Sequence, residues 1–399
     1  MENKKKILIC LTKFPWPLID GTRKRIFNNV ILGFKDNYDL NFLIVTYEKI
    51  DKENEFLKEN KGNIVLFNFP ILKFYLNAFL SLFSFEPLQE NFFYFKEVQK
   101  WLDKNKENYD LIYIHTIRLS KYFIKYNEDI RKKVFLDFND AISMNYKEGR
   151  NFSSLFWKIV YFVEWKRLLK WERECLKYFF NFSVVSQIDK NWIIDDINLN
   201  KKNFYVISYG VDEKIFNYNW KPQGKDLVYL ANLYYPPNLD GILFFIKNIW
   251  PYILEKYPGL KLKIIGGGKE LLKVAFKNIE FLGFIENPYE LISNSLIFIN
   301  PVRYGAGVQT KLLEVLAIGI PTISQKKFFE AIEIFDYPFQ IDNIEDKDLW
   351  LTQIDKILND VNLNFSENLL IFKKIIKEKF NDSKIKEQYK RCFENILNF

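Results

Sequence analysis

The chain has 399 residues, which at about 150 residues per domain implies two or three domains, each able to bury a sizeable core. Apolar residues make up 48% and charged residues 27%, which excludes a disordered chain, and the net charge of +8 is too small to imply nucleic acid but suits an anionic membrane surface. A lone histidine, His115, excludes a multi-histidine metal site, and Cys10, Cys175 and Cys392 are too far apart for a zinc knuckle or a disulfide framework.

The first apolar run, 7–11, follows three lysines and reads as a buried parallel strand, because strands covered on both faces lack alternation. A loop with Pro15, Pro17 and Gly21 leads into a predicted helix over 23–34. Further strands are expected at 40–45, 64–67, 111–114, 134–136 and 182–185, alternating with helices at 92–103, 154–179 and 187–195. Such alternation predicts a parallel α/β sheet. Residues 217–226, polar and containing Pro222 and Gly224, read as a linker.

The same grammar then restarts. Strands are predicted at 228–230, 260–265, 279–282, 296–300 and 321–324, and helices at 238–257, at 288–293 and from about Val308 to Gly319, with a mostly helical tail from Trp350. The expected architecture is α/β, with two Rossmann-like doubly wound domains facing a central cleft and a C-terminal helical tail. The predicted limits are 1–216 for the first domain, 217–226 for the linker and 227–375 for the second domain, with 376–399 returning to the first.

The strongest local signal runs from Asn300 to Glu314. A strand ends, Gly305 and Gly307 shape a loop, and a helix begins. Glycines let backbone approach a ligand, and free N–H groups at a helix start favour phosphate. Lys311 lies in the first turn, and Glu314 follows three residues later on the same face. A carboxylate one turn in, about 5 Å along the axis, suits a ribose diol beside a phosphate. The competing reading is an ordinary glycine loop with a surface Lys–Glu pair.

Taken in order, these motifs resemble the retaining glycosyltransferases of the two-Rossmann-domain GT-B type, particularly the large family four group and its bacterial polysaccharide sugar transferases. The stretch 230–240 looks like that group's first C-terminal strand and donor-phosphate loop, 262–268 like its second strand, and 279–285 like the segment beside the base. Residues 305–314 followed by 316–322 look like the donor signature. Near the N-terminus, Phe14-Pro-Trp-Pro17 and Asp20-Gly-Thr-Arg-Lys-Arg25 resemble the glycine loop that faces the donor. The stretches 184–187 and 206–212 match the approach to the linker.

The resemblance implies donor contacts at Gly21, Thr22, Arg25, Asn232, Asn238, Gly266, Phe284, Ile285, Tyr304, Gly305, Ala306, Gly307, Val308, Gln309, Thr310, Lys311 and Glu314. Catalytic roles are assigned to Lys311, Glu314 and Asp140; His115, at a strand end on the ligand edge, reads as an acceptor contact or a hydrogen-bonded structural histidine, and Asp137 and Asp140 orient acceptor hydroxyls or cap a helix. Three departures from the family pattern stand out. Ala306 stands where a first glutamate is common, Asn232 and Asn238 stand near the usual Arg and Lys clamp, and 137–143 replaces a segment that often carries histidine. Lys311 is therefore assigned as the phosphate-neutralising cation.

The implied activity is a retaining, metal-independent transfer from a nucleotide-diphosphate sugar, UDP-linked by preference, to a glycan or polyprenyl-linked acceptor in surface-polysaccharide assembly. No cofactor and no metal are expected. The alternatives are a catalytically degenerate nucleotide-sugar-binding or partner subunit, and a nucleotide-sugar epimerase on the same fold. Gly266, Gly267 and Gly268 are not a dinucleotide fingerprint, because Leu271 occupies the position of the third spaced glycine. Glu172 reads as a solvated or paired charge.

Aromatic residues make up 18% of the chain and concentrate in 69–95 and 155–171, the latter interleaved with Lys158, Lys166, Arg167 and Lys170. Basic residues beside tryptophan on a helix describe an interfacial membrane face, against the alternative of a phenylalanine-rich core. The apolar run at 7–10 is too short for a signal peptide, and the uncharged stretch 74–85 falls short of the about 18 residues a membrane span needs. The expectation is a cytoplasmic protein, peripheral on the inner face of the membrane.

Overall fold

The computed structural model describes residues 4–18, 20–49, 51, 54–82, 86–195, 197–272, 277–360 and 366–398. The end of the predicted 74–85 stretch and parts of the predicted tail lie outside these residues. The chain divides into two compact units, Met1–Tyr209 with Ser383–Phe399, and Gly210–Asp382.

The first unit carries seven parallel strands: β1 (Lys6–Leu11), β2 (Asp39–Thr46), β3 (Ile64–Asn68), β4 (Leu111–His115), β5 (Val134–Asn139), β6 (Asn181–Val184) and β7 (Asn203–Val206). Their order is β3-β2-β1-β4-β5-β6-β7. Alternate residues of β1 enter two different cores. Leu8 and Cys10 join one that includes Phe74, Phe93 and Phe95, whereas Ile7, Ile9 and Leu11 join one closed by Ile385, Tyr389, Cys392 and Phe393 of the Asp382–Leu397 helix. Part of the aromatic surplus therefore fills the interior: the Phe69 and Phe95 rings stack at 4.1 Å, and Phe74 meets Phe95 edge-on at 4.8 Å.

The second unit carries β8 (Asp226–Leu230), β9 (Lys261–Ile265), β10 (Ile279–Gly283), β11 (Ile297–Asn300), β12 (Thr322–Gln325) and β13 (Gln340–Ile341), in the order β10-β9-β8-β11-β12-β13. All pairings in both sheets are parallel. The unit boundary lies between Tyr209 and Gly210, earlier than the predicted 216, and residues 217–226 are not a free-standing linker. Their backbone is tied down, with Lys221 N–H donating to Ser293 O, Gln223 N–H to Asn294 O and the Trp220 indole to Ser295 O.

Two helices differ from the pattern read in the sequence. The 23–34 segment is interrupted by a π-helical stretch, Ile26–Ile31. The predicted 238–257 helix is two, Pro236–Asn248 and Trp250–Lys256, because Pro251 lacks an N–H and suits the start of a new helix rather than the middle of an old one.

Candidate active site

In an open parallel sheet, ligands bind beyond the carboxyl ends of the strands where the strand order reverses. In the second unit that point lies between β8 and β11, the strands preceding residues 231–235 and 301–309. Backbone-to-backbone contact holds the loops of this edge together. A Cβ on Gly266 would lie 1.9 Å from Ala231 O, and one on Gly241 would lie 2.4 Å from Pro301 O. Gly305 and Gly307 have φ of 133° and 74°, values that L side chains rarely adopt.

The Thr310–Ile318 helix begins after this loop. Its capping position, Gln309, makes no side-chain cap; the Gln309 Oε1 instead accepts from Asn300 Nδ2 at 2.8 Å. In the first turn, Lys311 is half-buried, and its ammonium donates to Asn238 Oδ1 at 2.9 Å and to the Tyr229 hydroxyl at 3.3 Å. It also lies 4.5 Å from the centre of the Tyr229 ring. Asn238 in turn donates to Asn232 O at 3.0 Å. The lysine's partners among the described residues are thus neutral, and burial lowers its pKa to about 7. Glu314 is 9% exposed and is bonded by the Tyr289 hydroxyl. Burial, with Glu314 alongside, raises the Tyr289 pKa.

The structure brings together most of the predicted donor residues of this unit. Asn232, Asn238 and Lys311 form one hydrogen-bonded chain, and Tyr304, Ala306, Val308 and Thr310 lie on the loop and helix start around Gly305, Gly307 and Gln309. Phe284 is 77% exposed just past β10, with the half-buried Ile285 beside it. Sequence reasoning missed the partners that fix this arrangement. Tyr229 and Tyr289 were unremarkable in an aromatic-rich chain. Arg303 forms a two-pronged pair with Asp240, at 2.8 and 2.6 Å, and a third contact with Glu345 at 2.7 Å.

The first unit requires corrections. Arg25, expected on the donor, is 2% exposed; it pairs with Asp137 at 3.0 Å and also donates to Asn139 Oδ1 and Ile207 O. Asp137, expected on the acceptor, is fully buried and accepts from the hydroxyls of Tyr113 (2.5 Å), Tyr389 (3.0 Å) and Ser183 (3.0 Å). Burial opposes its ionisation, but Arg25 and its hydrogen-bond donors hold the carboxyl below the usual carboxylate range. His115 is 3% exposed with Nδ1 at 3.6 Å from Asp137, and burial lowers its pKa. Arg25 and Asp137 are interior bracing, spent on each other and on partners within the unit, whereas the buried His115 leaves its Nε2 without a hydrogen-bond partner among the described residues.

Asp140 remains half-buried past the end of β5, accepting from Asn139 Nδ2 at 3.1 Å and Asn145 Nδ2 at 2.6 Å. Gly21 opens a helix capped by Asp20, and Thr22 bonds the Tyr209 hydroxyl. Glu172 is not solvated. It is fully buried, accepts from Ser143 through both N–H and Oγ, and is pushed up to about 8 by desolvation.

Comparison with known proteins follows this geometry. Residues 224–359 match the family model for glycosyl transferases group 1. A 44.6 kDa protein in the cps region of Klebsiella pneumoniae is 24% identical over 326 residues, 78% of this chain and 80% of that protein. Among solved structures, sucrose-phosphate synthase from Thermosynechococcus elongatus superposes with a TM-score of 0.70 at 13% identity, covering 99% of this chain and 100% of that one. Anabaena HepE, solved in complex with UDP and glucose, gives 0.66 at 12% identity, covering 98% and 100%. Residues 224–359, within the second unit, therefore carry the match to a glycosyl transferases group 1 domain, and the chain has the two-domain GT-B fold of its glycosyltransferase neighbours.

Proposed function

We propose that the chain transfers a sugar, with retention and without a metal, from a UDP-linked donor to a glycan or polyprenyl-linked acceptor in bacterial surface-polysaccharide assembly. The observation that carries the reading is the ammonium of Lys311, which among the described residues meets neutral partners, beside a helix start that the Gln309 side chain does not cap, at the reversal point of the sheet. A buried cation without a counter-charge is costly, and a diphosphate would supply that charge. HepE, on the same fold, is described in complex with UDP-glucose, and the Klebsiella relative comes from a cps region; both support the donor and the setting.

In this reading the sugar C1–O bond to the diphosphate breaks while the acceptor oxygen bonds C1 on the same face. The acceptor's proton passes to the departing phosphate oxygen. Lys311 and the helix start stabilise the growing negative charge, Glu314 holds the ribose diol, and Asp140 orients the acceptor. Glu314→Gln keeps the size but loses the charge. Hydrogen bonds to charged groups contribute about 1.5–3 kcal/mol, so UDP affinity measured by calorimetry should fall about ten- to a hundred-fold. Lys311→Ala should lower turnover as well as affinity, because its partner's charge grows in the transition state. A Glu314→Gln protein with unchanged UDP affinity would overturn the placement of the nucleotide.

A further inference from the structure

Two helices of the first unit carry apolar stripes that face outward. On the Ile71–Leu80 helix, Phe74 is fully buried, while Leu72, Tyr75, Leu76 and Phe79 are exposed, with Phe79 at 60%. This i, i+3, i+4, i+7 set normally marks the side of a helix that meets a core. The Leu155–Tyr178 helix repeats the pattern over its first turns. Leu155, Phe156, Ile159, Phe162 and Val163 are all exposed, Leu155 at 77%. The two stripes adjoin, because Arg167, one turn beyond Val163, donates to Leu82 O at 3.3 Å, just past the end of the first helix.

Up to Trp171 the exposed charges on these helices have one sign. Lys73 is the sole charged residue of Ile71–Leu80. Between Leu155 and Trp171 the sole acid is Glu164, which is buried and taken up by Leu88 N–H and Arg167. Lys166 and Arg150 lie 4.6 and 5.6 Å from the centre of the exposed Phe162 ring, setting cations at the margin of the apolar surface. A surface pocket of about 400 Å³ there is lined by Arg150, Asn151, Lys158, Ile159 and Phe162, so two cations and an amide share it with two apolar side chains.

We propose that this two-helix face docks the first unit onto an anionic phospholipid bilayer. The apolar stripes would enter the acyl boundary, and Arg150 and Lys158 would meet a lipid phosphate. Among the described residues no helix is long and apolar enough to cross a membrane, so the helices would lie in the interface plane. The proposal stands on the first unit alone and is independent of the donor assignment in the second.

The test is co-sedimentation of the full chain with phosphatidylcholine vesicles that contain or lack phosphatidylglycerol. Wild type should pellet with the anionic vesicles at low salt and less as salt rises. Lys158→Ala with Lys166→Ala should weaken partitioning about 25-fold, from about five-fold per cation. Phe79→Ser with Phe162→Ser should weaken it at least about ten-fold. Both variants should melt like wild type and bind UDP like wild type, which separates this face from the donor site. Failure of wild type to pellet, or variants that pellet equally well, would overturn the proposal. So would a dimer in sedimentation velocity that the phenylalanine variant abolishes without any vesicle binding, since the face would then belong to a second copy.

Discussion

Lys311 holds its proton weakly because burial strips its hydration and only Asn238 and Tyr229 answer it. With a pKa near 7, below its unfolded value of about 10.4, the folded chain binds fewer protons than the unfolded chain between those limits. Two consequences follow in sign. The Lys311 contribution to stability improves as pH rises from about 7 towards 10, so Lys311→Met should raise the melting temperature most below pH 7. Activity runs the other way. In the proposed mechanism the Lys311 ammonium that answers the diphosphate is lost above pH 7, so kcat/KM should fall through that range, whereas Lys311→Arg should hold it flat. Asp137 is the opposite case, a buried carboxylate with a full set of donors. Asp137→Asn leaves the Arg25 guanidinium buried without its counter-charge and should cost about 3–5 kcal/mol in denaturant unfolding, with Arg25→Met recovering part of the loss. The pair also marks the limit of local reading. Gly307, Lys311 and Glu314 lie within one loop and turn, so a candidate phosphate site is legible in their spacing, beside the reading of an ordinary glycine loop. The role of Asp137 depends on Arg25, Tyr113, Ser183 and Tyr389, which only the fold brings together, and its neighbourhood in the sequence resembles an acceptor segment.

At the level of elements, the strands that sequence reveals are those with unbroken apolar runs, such as 7–11 and 134–136, which both faces of the sheet bury. The two unpredicted strands lie at sheet edges and look different: β7 opens with the exposed Asn203, and β13 is two residues long. A strand paired on one side only is under less pressure to be apolar throughout. The last helix illustrates how much one element can carry. Phe393 stacks on Phe34 at 4.6 Å and lies 5.9 Å from the Tyr113 ring, while Tyr389 of the same helix reaches Asp137. Phe393→Ala should therefore destabilise the first unit by about 3–5 kcal/mol, read as a lower denaturant midpoint with unchanged slope. Cooperative unfolding of wild type and variant at the same midpoint would show that the helix is dispensable.

For the whole molecule, the two sheets share one grammar but divide the polar residues differently. In the second unit the carboxyl edge of the sheet keeps Lys311, among the described residues, without an anionic partner, beside glycines that admit close backbone approach. In the first unit the corresponding positions of β4 and β5 are closed off by Arg25 and by Tyr389. The proposed ligand site thus lies where charge is left unanswered, and bracing where it is answered. The return of residues 383–398 to the first unit also has a temporal meaning. A ribosome makes 1–209 first, then all of 210–382, and only afterwards the helix whose Tyr389 and Phe393 complete the earlier core. The second unit can mature as a contiguous segment during synthesis, while the first must wait with Tyr113, Phe34 and the Arg25–Asp137 pair partly uncovered. Chain order therefore places the completion of the first unit after that of the second, and a nascent molecule halted near residue 382 would hold every residue of the second unit but lack the last helix of the first.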